Sequence, residues 1–456
     1  MSGHRGHYKH LALTAALLLI SSCTQWQSTE HATAAKVLSG TYTAWDYQQS
    51  DAQAVSYLND LIQVDALQNL VQQALANNPG LQQTTLALQI AYANKRVAAA
   101  DRLPTASTSF SQQRIEDGDD SFNAGLNISW ELDLWHKIGD QLSAAEMDIA
   151  SSEAAYQAAR DALAANVMRS WLDIILQRQL IAIETDRLQL LENNERLITQ
   201  RYRSGLGPLE DLDDARTTLA STRATLAAYR QTLNQSQRSL RQLLGYQQTR
   251  AELPASANFP AVLQPLTSLP EQDLARRPDL QQAYYDIIAA QYRSDVAYKE
   301  LLPSISLTAA LTDMGTSASD ALFTSPAWSL LGQITAPLFQ GGRLKAQREI
   351  AELNAEQQFW AYQETLLTAV SEVNNALDNE QALEQQQQHI NDALSNARRS
   401  AANYESKYRQ GLVSIIDLLL VQQQVFNLQS QAVQLTYNRL ANRIDLGLAL
   451  GLEASS

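Results

Sequence analysis

The fold is decided by residues 122–133, in which apolar and polar residues alternate without a break: Phe122-Asn123-Ala124-Gly125-Leu126-Asn127-Ile128-Ser129-Trp130-Glu131-Leu132-Asp133. Successive side chains of a β-strand point to opposite faces, so this period predicts a strand with one apolar and one polar face. The Ser/Thr-rich run Thr105–Arg114 follows Pro104 and predicts the partner strand, with residues 116–120 as a charged turn. We therefore expect a hairpin at about 104–134.

A second hairpin is predicted at about 303–339, where the same alternation returns. The apolar residues Ile305, Leu307, Ala309 and Leu311 alternate with Ser304, Ser306, Thr308 and Thr312. In the next strand Trp328, Leu330, Ile334, Ala336 and Leu338 face opposite Ser329, Gln333 and Thr335. Tilted strands of about ten residues match the hydrocarbon thickness that an outer-membrane strand crosses, and aromatic residues suit its interfaces. The alternative for such a strand is the edge of a soluble sandwich.

The two hairpins lie in two copies of a longer pattern. Asn77–Gln83 is matched by Arg276–Gln282, and Arg201–Leu206 (RYRSGL) is matched by Lys407–Leu412 (KYRQGL). Two copies indicate a duplicated domain rather than a solenoid, which needs three or more units.

Long helices are predicted after each hairpin. Residues 140–204 and 343–410 contain no Gly or Pro, and one helix of this length would reach roughly 100 Å. Turns with Tyr202 and Gly205, and with Gly411, lead into returning helices at about 209–245 and 412–447. Such αα-hairpins with heptad-like spacing pack as coiled coils. The charged residues along them are interpreted as solvated faces.

The N-terminus reads as an export signal that ends in a cysteine. Arg5 and Lys9 precede the apolar run Leu11–Ile20, which is too short to span a bilayer, and Ser21-Ser22-Cys23 closes it. Cys23 is the only cysteine of the chain. This ending resembles a bacterial lipobox, which implies acylation of Cys23, and Thr24 in place of Asp implies sorting to the outer membrane. The alternative is an ordinary signal peptide.

These segments give the predicted division of the chain. It comprises a lipoprotein signal peptide at 1–22, an irregular wrapping segment at 24–60, the first repeat at 61–246, a Pro-containing linker at 247–272, the second repeat at 273–451 and a C-terminal tail at 452–456.

Composition argues against several functional classes. Lys and Arg number 34 against 48 Asp and Glu, a net charge of −14, whereas nucleic-acid binding needs clustered basic residues. After removal of the predicted signal peptide only His31, His136 and His389 remain, and they are far apart in sequence and without zinc-type spacing. No phosphate-binding Gly loop is present. We therefore expect no enzyme activity, no cofactor or metal, and no nucleic-acid partner.

Four strands from one chain cannot close a barrel with a lumen, because even eight leave room only for side chains. Several protomers must therefore share one barrel, and three would supply twelve strands. The lumen would be lined by the polar face of the first hairpin, namely Asn123, Asn127, Glu131 and Asp133. Trp130 and Trp328, on the apolar faces, would meet lipid.

The lipobox, the twofold repeat and the Tyr-x-x-Gly turn of each copy together resemble the TolC-like outer membrane factor family. The resemblance implies a homotrimeric α+β membrane protein, in which a twelve-stranded outer-membrane barrel continues into a periplasmic coiled-coil tunnel of twelve helices. Cys23 and Arg276–Leu280 resemble the lipoprotein branch of that family. Its partners are a periplasmic adaptor (membrane fusion) protein and an inner-membrane pump of the resistance-nodulation-division type.

The resemblance also implies a gate at the helix-hairpin turns. Tyr408 matches the signature tyrosine, Asp211 the acid that it bonds across neighbouring hairpins, and Asp417 the acid that rings the narrowest point. A phenol that donates to a carboxylate makes a charge-assisted hydrogen bond, and converging carboxylates attract cations. The family often has a polar residue where this chain has Leu420, and some members have arginine at Val413. A ring of leucines would then narrow the tip by packing.

These features predict a passive outer-membrane exit duct, with a gated periplasmic tip, for drugs or other toxic small molecules. A duct for type I protein secretion is the first alternative, and a periplasmic coiled-coil adaptor or scaffold is the second. The sequence does not name the exported compounds, because substrate choice belongs mostly to the pump.

Overall fold

The structure is a computed structural model of the chain, and it describes residues 30–39, 57–116, 119–246, 258–261 and 274–455. Helices dominate these ranges. They are α1 Glu30–Ser39, α2 Asp65–Asn77, α3 Pro79–Ala100, α4 Lys137–Arg203, α5 Leu209–Leu243, α6 Pro278–Lys299, α7 Arg343–Arg409 and α8 Ile415–Ala449, with short 3-10 turns at Leu58–Leu61 and Leu274–Arg276.

Two hairpins interrupt the helices and join into one antiparallel sheet. Their strands are β1 Thr105–Gln113, β2 Ser121–Leu132, β3 Ser304–Gly315 and β4 Ala327–Thr335, in the spatial order β1-β2-β3-β4. The register sets Leu126 opposite Leu311 and Trp130 opposite Leu307. Apolar side chains of both hairpins therefore share one face of the sheet, as the alternation predicted. Within the described chain, β1 and β4 are the edges of this sheet.

The chain divides into two compact units. Of the described residues, the first comprises residues 30–37, Ala91–Ser151 and Ala283–Gln363, and it contains the sheet. The second comprises Leu38–Ile90, Ser152–Gln282 and Glu364–Ser456, and it contains the helical core and both Tyr-x-x-Gly turns.

The core of the second unit forms around the middle of α4. Trp171, Met168, Ile174 and Ile175 are almost fully buried there, and each side chain of this size stabilises the fold by ~1.5–3 kcal/mol. The C-terminal tail packs onto the same core, because the Ala454 N–H donates to Asp161 Oδ1 over 2.8 Å. Burial raises the pKa of the Asp161 carboxyl to about 6.

Three pairs of corresponding helices in the two halves are equal in length. The helices α3 and α6 have 22 residues each, α4 and α7 have 67, and α5 and α8 have 35. The C-terminal ends of α5 and α8 are also bonded alike. Asn78 Nδ2 donates to the Leu243 carbonyl over 2.8 Å, and Arg277 Nη1 donates to the Ala449 carbonyl over 3.0 Å. Both donors precede a proline that begins the next helix.

A buried charge network joins α7 and α8, contrary to the prediction that the charges of these helices are solvated. Glu380 Oε1 accepts from Arg443 Nη2 over 2.8 Å and from Arg439 Nη2 over 3.2 Å. The Glu380 and Arg443 side chains are only 4% and 5% exposed. The prediction was wrong here because helical spacing alone does not tell a charged face that packs on a neighbour from one that meets water.

Two segment predictions are corrected as well. Residues 24–60 were predicted to be irregular, but α1 lies within them, and its Ala-rich sequence favours a helix. The last helix begins at Ile415 rather than at Leu412, because Ser414 caps it. The signal segment, Cys23 and most of the 247–272 linker lie outside the described residues. None of the described helices is long and apolar enough to cross a membrane.

Candidate functional site

The two Tyr-x-x-Gly turns have the same backbone geometry. Gly205 has φ +70° and Gly411 has φ +72°, a region that L side chains rarely adopt. In the first turn the Gly205 N–H donates to the Tyr202 carbonyl and the Leu206 N–H to the Arg201 carbonyl, each over 2.9 Å. The second turn repeats both bonds with the same lengths at Gly411 and Leu412. This is the Schellman pattern, which ends α4 and α7 and turns the chain back.

Apolar side chains from four helices pack together just behind the turns. Buried members of this tip cluster are Leu191, Ile198, Leu212, Leu219, Ile415, Leu418 and Leu419. Tyr404 and Tyr408 are partly buried against the cluster. The two helix pairs therefore meet at the tip through a shared apolar contact, and Tyr408 lies at its border.

Asp417 is held at the start of α8 by a reciprocal capping box. The Ser414 hydroxyl donates to Asp417 Oδ2 over 2.6 Å and accepts from the Asp417 N–H over 3.1 Å. The Ser414 N–H also donates to Asp417 Oδ2, over 3.0 Å. These hydrogen bonds lower the pKa of the Asp417 carboxyl, and the bond from the Ser414 hydroxyl has the largest effect. The Ser414-x-x-Asp417 spacing is a capping signature that the sequence analysis missed.

Asp417 and Leu420 lie three residues apart on one exposed face of α8. Residues at this spacing are neighbours on a helix surface. Leu420 is 63% exposed, whereas Leu418 and Leu419 point into the tip cluster. The chain therefore presents a carboxylate and a leucine side by side, on a face that its own core does not use.

The predicted bond between Tyr408 and Asp211 is not formed within the chain. Among the described residues, the Tyr408 hydroxyl has no hydrogen-bond partner and neither does the Asp211 carboxylate. Asp211 lies in the first turn of α5, after the N-cap Pro208, and is partly exposed. Tyr202, the equivalent tyrosine of the first copy, is 41% exposed. The predicted bond across neighbouring hairpins stays a prediction for the assembled protein.

The predicted lumen residues divide into two sets. Asn123 and Asn127 lie on the polar face of β2, opposite Met314 and Ala310 of β3. Glu131, on the same face, pairs with Lys137 over 2.7 Å, a partner that the sequence analysis did not identify. Asp133 lies just beyond β2 and caps α4, since its carboxylate accepts from the N–H groups of Ile138 and Gly139.

The two tryptophans of the apolar face differ in their surroundings. Trp130 Nε1 donates to the Arg102 carbonyl over 2.9 Å, which ties β2 to the end of α3. Trp328, on β4, is 80% exposed. Leu330 and Ile334 follow it on the same face and are similarly open. This edge of the sheet presents a continuous apolar surface.

No group of three or more His, Cys, Asp or Glu that could hold a metal ion occurs within the described part of the chain. The geometry instead consists of an amphipathic sheet and a helical tip that carries an exposed Asp and Leu.

Comparison with known proteins identifies the family. The family model of the outer membrane efflux protein matches residues 70–246 and 269–452. The chain belongs to the outer membrane efflux protein family. It is 30% identical to the probable outer membrane lipoprotein SilC of Salmonella typhimurium, over 84% of this chain and 85% of that protein. It is 28% identical to the pyoverdine export outer membrane protein OpmQ of Pseudomonas aeruginosa, over 97% and 96% of the two chains.

The fold agrees with that assignment. A crystal structure of CusC aligns with this chain with a TM-score of 0.78 at 26% sequence identity. That structure concerns the conformational changes that accompany folding and transmembrane channel formation of CusC. The alignment covers 89% of this chain and 96% of CusC. The resemblance to TolC-like channels that the sequence indicated is therefore confirmed, and this member of the efflux family is an outer-membrane channel protein.

Proposed function

We propose that three copies of this chain form an outer-membrane exit duct for a tripartite efflux system. The observation that carries the proposal is the sheet: within the described chain it has four strands, two open edges at β1 and β4, and one largely apolar face. Long open edges invite pairing with another strand, and pairing β4 with β1 of the next protomer would close a ring of twelve strands. The apolar face would then meet lipid, with Asn123 and Asn127 on the water-filled side.

The helices would continue this ring as a tunnel. The paired lengths of α4 with α7 and of α5 with α8 support an internal twofold repeat. Three chains would then place six near-equivalent helix pairs around one axis. The common Schellman turns at Gly205 and Gly411 would bring all six pairs to an end at the same level.

The tip of this tunnel is proposed as the gate. Asp417 and Leu420 share the exposed face of α8, so the threefold axis would gather three carboxylates and three leucines. Among the residues that the structure describes, the Tyr408 hydroxyl and the Asp211 carboxylate have no hydrogen-bond partner, which suits a bond between neighbouring helix pairs. Repeated around the axis, these charge-assisted bonds would hold the tip closed.

The proposed efflux system includes two partner proteins, one that contacts the duct and one that supplies the energy for export. A periplasmic adaptor would bind the helical part, and an inner-membrane pump of the resistance-nodulation-division type would deliver drugs or other toxic small molecules.

Acylation of Cys23 would anchor each protomer in the membrane. The similarity of the chain to SilC, a probable outer membrane lipoprotein, supports this anchor. Radiolabelled palmitate should label the wild type but not Cys23→Ala; label in both would refute the anchor.

Deletion of the gene, followed by a susceptibility panel, tests the function. We expect sensitivity to several unrelated toxic compounds, restored by the wild-type gene, and co-purification of the adaptor with the restored protein. A protein-secretion defect without any sensitisation would instead favour a type I secretion duct and contradict the efflux assignment.

We predict that opening the gate raises conductance. The double variant Tyr408→Phe with Asp211→Ala removes the proposed donor and acceptor, so single-channel conductance in planar bilayers should rise. Tyr202→Phe, in the equivalent place of the first copy, is the matched control and should leave conductance near the wild-type value. Unchanged conductance in the double variant would contradict the assignment of Tyr408 and Asp211 as the pair that holds the tip closed.

The pH dependence of cation selectivity is expected to depend on Ser414. The hydrogen bonds from Ser414 lower the pKa of the Asp417 carboxyl. The carboxylate therefore stays charged as the pH falls, and it becomes protonated only when the pH drops below that lowered pKa. Ser414→Ala removes the hydroxyl donor and should move the loss of selectivity to higher pH.

Reversal potentials measured across a pH series follow this shift directly. Ser406→Ala is the control, because the Ser406 hydroxyl accepts a hydrogen bond from the Gln410 side chain, whereas the Asp417 carboxylate is bonded by Ser414. The assignment fails if Ser414→Ala and Ser406→Ala give the same pH profile as the wild type.

A further inference from the structure

The loop between β3 and β4, residues 316–326, folds back over the apolar face of the sheet. Gly315 ends β3 and alternates onto the same face as Leu307 and Leu311. A Cβ at Gly315 would lie 2.7 Å from the Asp320 Cβ and 2.8 Å from the Ala321 nitrogen. The loop backbone therefore rests directly on that face, at the end of the strands remote from the helices.

Asp313 fastens the loop in this position. It alternates onto the apolar face, opposite Ala124 of β2, yet it is only 6% exposed. Its Oδ2 accepts from the Ser325 N–H over 2.7 Å. Ala124 and Ala321 are buried with it, at 3% and 0% exposure. Burial of a carboxylate is unfavourable unless a donor bonds to it. The loop supplies that donor, so an acidic residue is tolerated on this face.

The loop presents apolar side chains outward. Leu322 and Phe323 are 59% and 43% exposed, and Phe323 adopts φ +61°, which is uncommon for a residue other than glycine. Asp320 is the single charged residue of the loop. The loop of the first hairpin is different, because a bidentate Arg114–Asp120 ion pair spans its ends.

We propose that Leu322 and Phe323 insert into the lipid of the outer leaflet, at the boundary between headgroups and acyl chains, with Asp313 as the buried latch that holds the loop there. This inference rests on the proposed function, which turns the apolar face toward lipid. Trp328 and Leu330, which lie on the same face of the sheet as Leu311, are also exposed. Aromatic residues at the rim of a membrane barrel occupy this boundary. A neighbouring protomer would pair with the edge of β4, not with the face that the loop covers.

Site-specific fluorescence quenching tests the proposal. The variants Leu322→Cys, Phe323→Cys, Leu330→Cys and Met314→Cys are labelled with a small thiol-reactive fluorophore and reconstituted in phosphatidylcholine vesicles. Nitroxide-labelled phosphatidylcholine serves as the lipid quencher and iodide as the aqueous one. Met314 is exposed on the opposite face of β3, and wild-type protein labelled in parallel measures any background from Cys23.

We expect the lipid quencher to act on probes at 322, 323 and 330, and iodide to act on the probe at 314. Asp313→Ala should shift the 323 probe from lipid to iodide quenching, while the 330 probe keeps its lipid quenching and shows that the sheet is still inserted. Asp320→Ala, which removes the exposed acid, should cause no shift.

The other outcomes separate the two proposals. If iodide quenches 322 and 323 while lipid quenches 330, the loop proposal is overturned and the duct stands. If 322 and 323 are shielded from both quenchers, another part of the assembly covers the loop, and the lipid assignment is likewise overturned. If 330 is not quenched by lipid, the proposed membrane orientation itself is contradicted.

Discussion

Replacing Glu380 by Gln should destabilise the protein by about 3 kcal/mol, because it leaves two buried guanidinium groups without their carboxylate. Arg439 and Arg443 both bond Glu380, and their side chains are only 12% and 5% exposed. Glu384 compensates little, since it is 3.8 Å from Arg439 and half exposed. Urea denaturation followed by far-UV circular dichroism measures the change.

The first half of the chain supplies the control. At the positions that match Glu380, Arg439 and Arg443, it has Ile174, Leu233 and Gln237. Ile174 is fully buried and Leu233 packs against the same apolar core. The triple variant Glu380→Ile, Arg439→Leu, Arg443→Gln should therefore keep its stability within about 1 kcal/mol of the wild type, because it removes all of the buried charge at once.

Two further results decide whether the network behaves in this way. Glu384→Gln should cost less than about 0.5 kcal/mol, since its carboxylate remains largely in water. A triple variant as unstable as Glu380→Gln would contradict the account, because the cost would then come from shape and not from an unpaired buried charge.

Among the glycines that the structure describes, Gly245→Ala should be the most damaging substitution, at about 3 kcal/mol or more. Gly245 ends α5 with φ +72°, and a Cβ there would overlap the carbonyl oxygen of Asn77 and lie 2.9 Å from its carbonyl carbon. Neither group is the flexible end of a side chain, so the backbone of α2 would have to move. The substitution thus combines a strained backbone with a steric clash.

Gly205→Ala separates these two causes. Gly205 has nearly the same φ, +70°, but nothing lies within 4 Å of its Cβ position. Only the conformational cost remains, about 1 kcal/mol. The same urea experiment compares the pair. Equal losses of stability in the two variants would show that the close approach of Asn77 contributes nothing.

Much of the architecture could be predicted because it rests on period and on turn residues. The alternation in residues 122–133 determines the apolar face of β2, and Gly205 and Gly411 mark where α4 and α7 end. Hydrogen bonding between strands then joined the two hairpins through β2 and β3, which no local pattern encodes.

The remaining features depend on contacts between distant residues. Glu380 and Arg443 are far apart in sequence, and helical spacing gave no sign that they meet in a buried site. Asp313 stands in the alternating pattern where an apolar residue would be expected, and only the folded loop explains it. At the tip, Asp417 was predicted from the family motif. Its capping bond to Ser414 was not predicted, although the Ser-x-x-Asp spacing that indicates it is local.

The most direct test of a shared barrel compares two neighbouring residues of β2. Leu126 lies on the apolar face and Asn127 on the polar face. Single channels of Leu126→Cys and Asn127→Cys are recorded in planar bilayers while a charged, water-soluble methanethiosulfonate reagent is added. We expect the reagent to reduce the conductance of Asn127→Cys and to leave that of Leu126→Cys unchanged. An equal response of both variants, or the absence of channels, would contradict a barrel whose lumen is lined by this face.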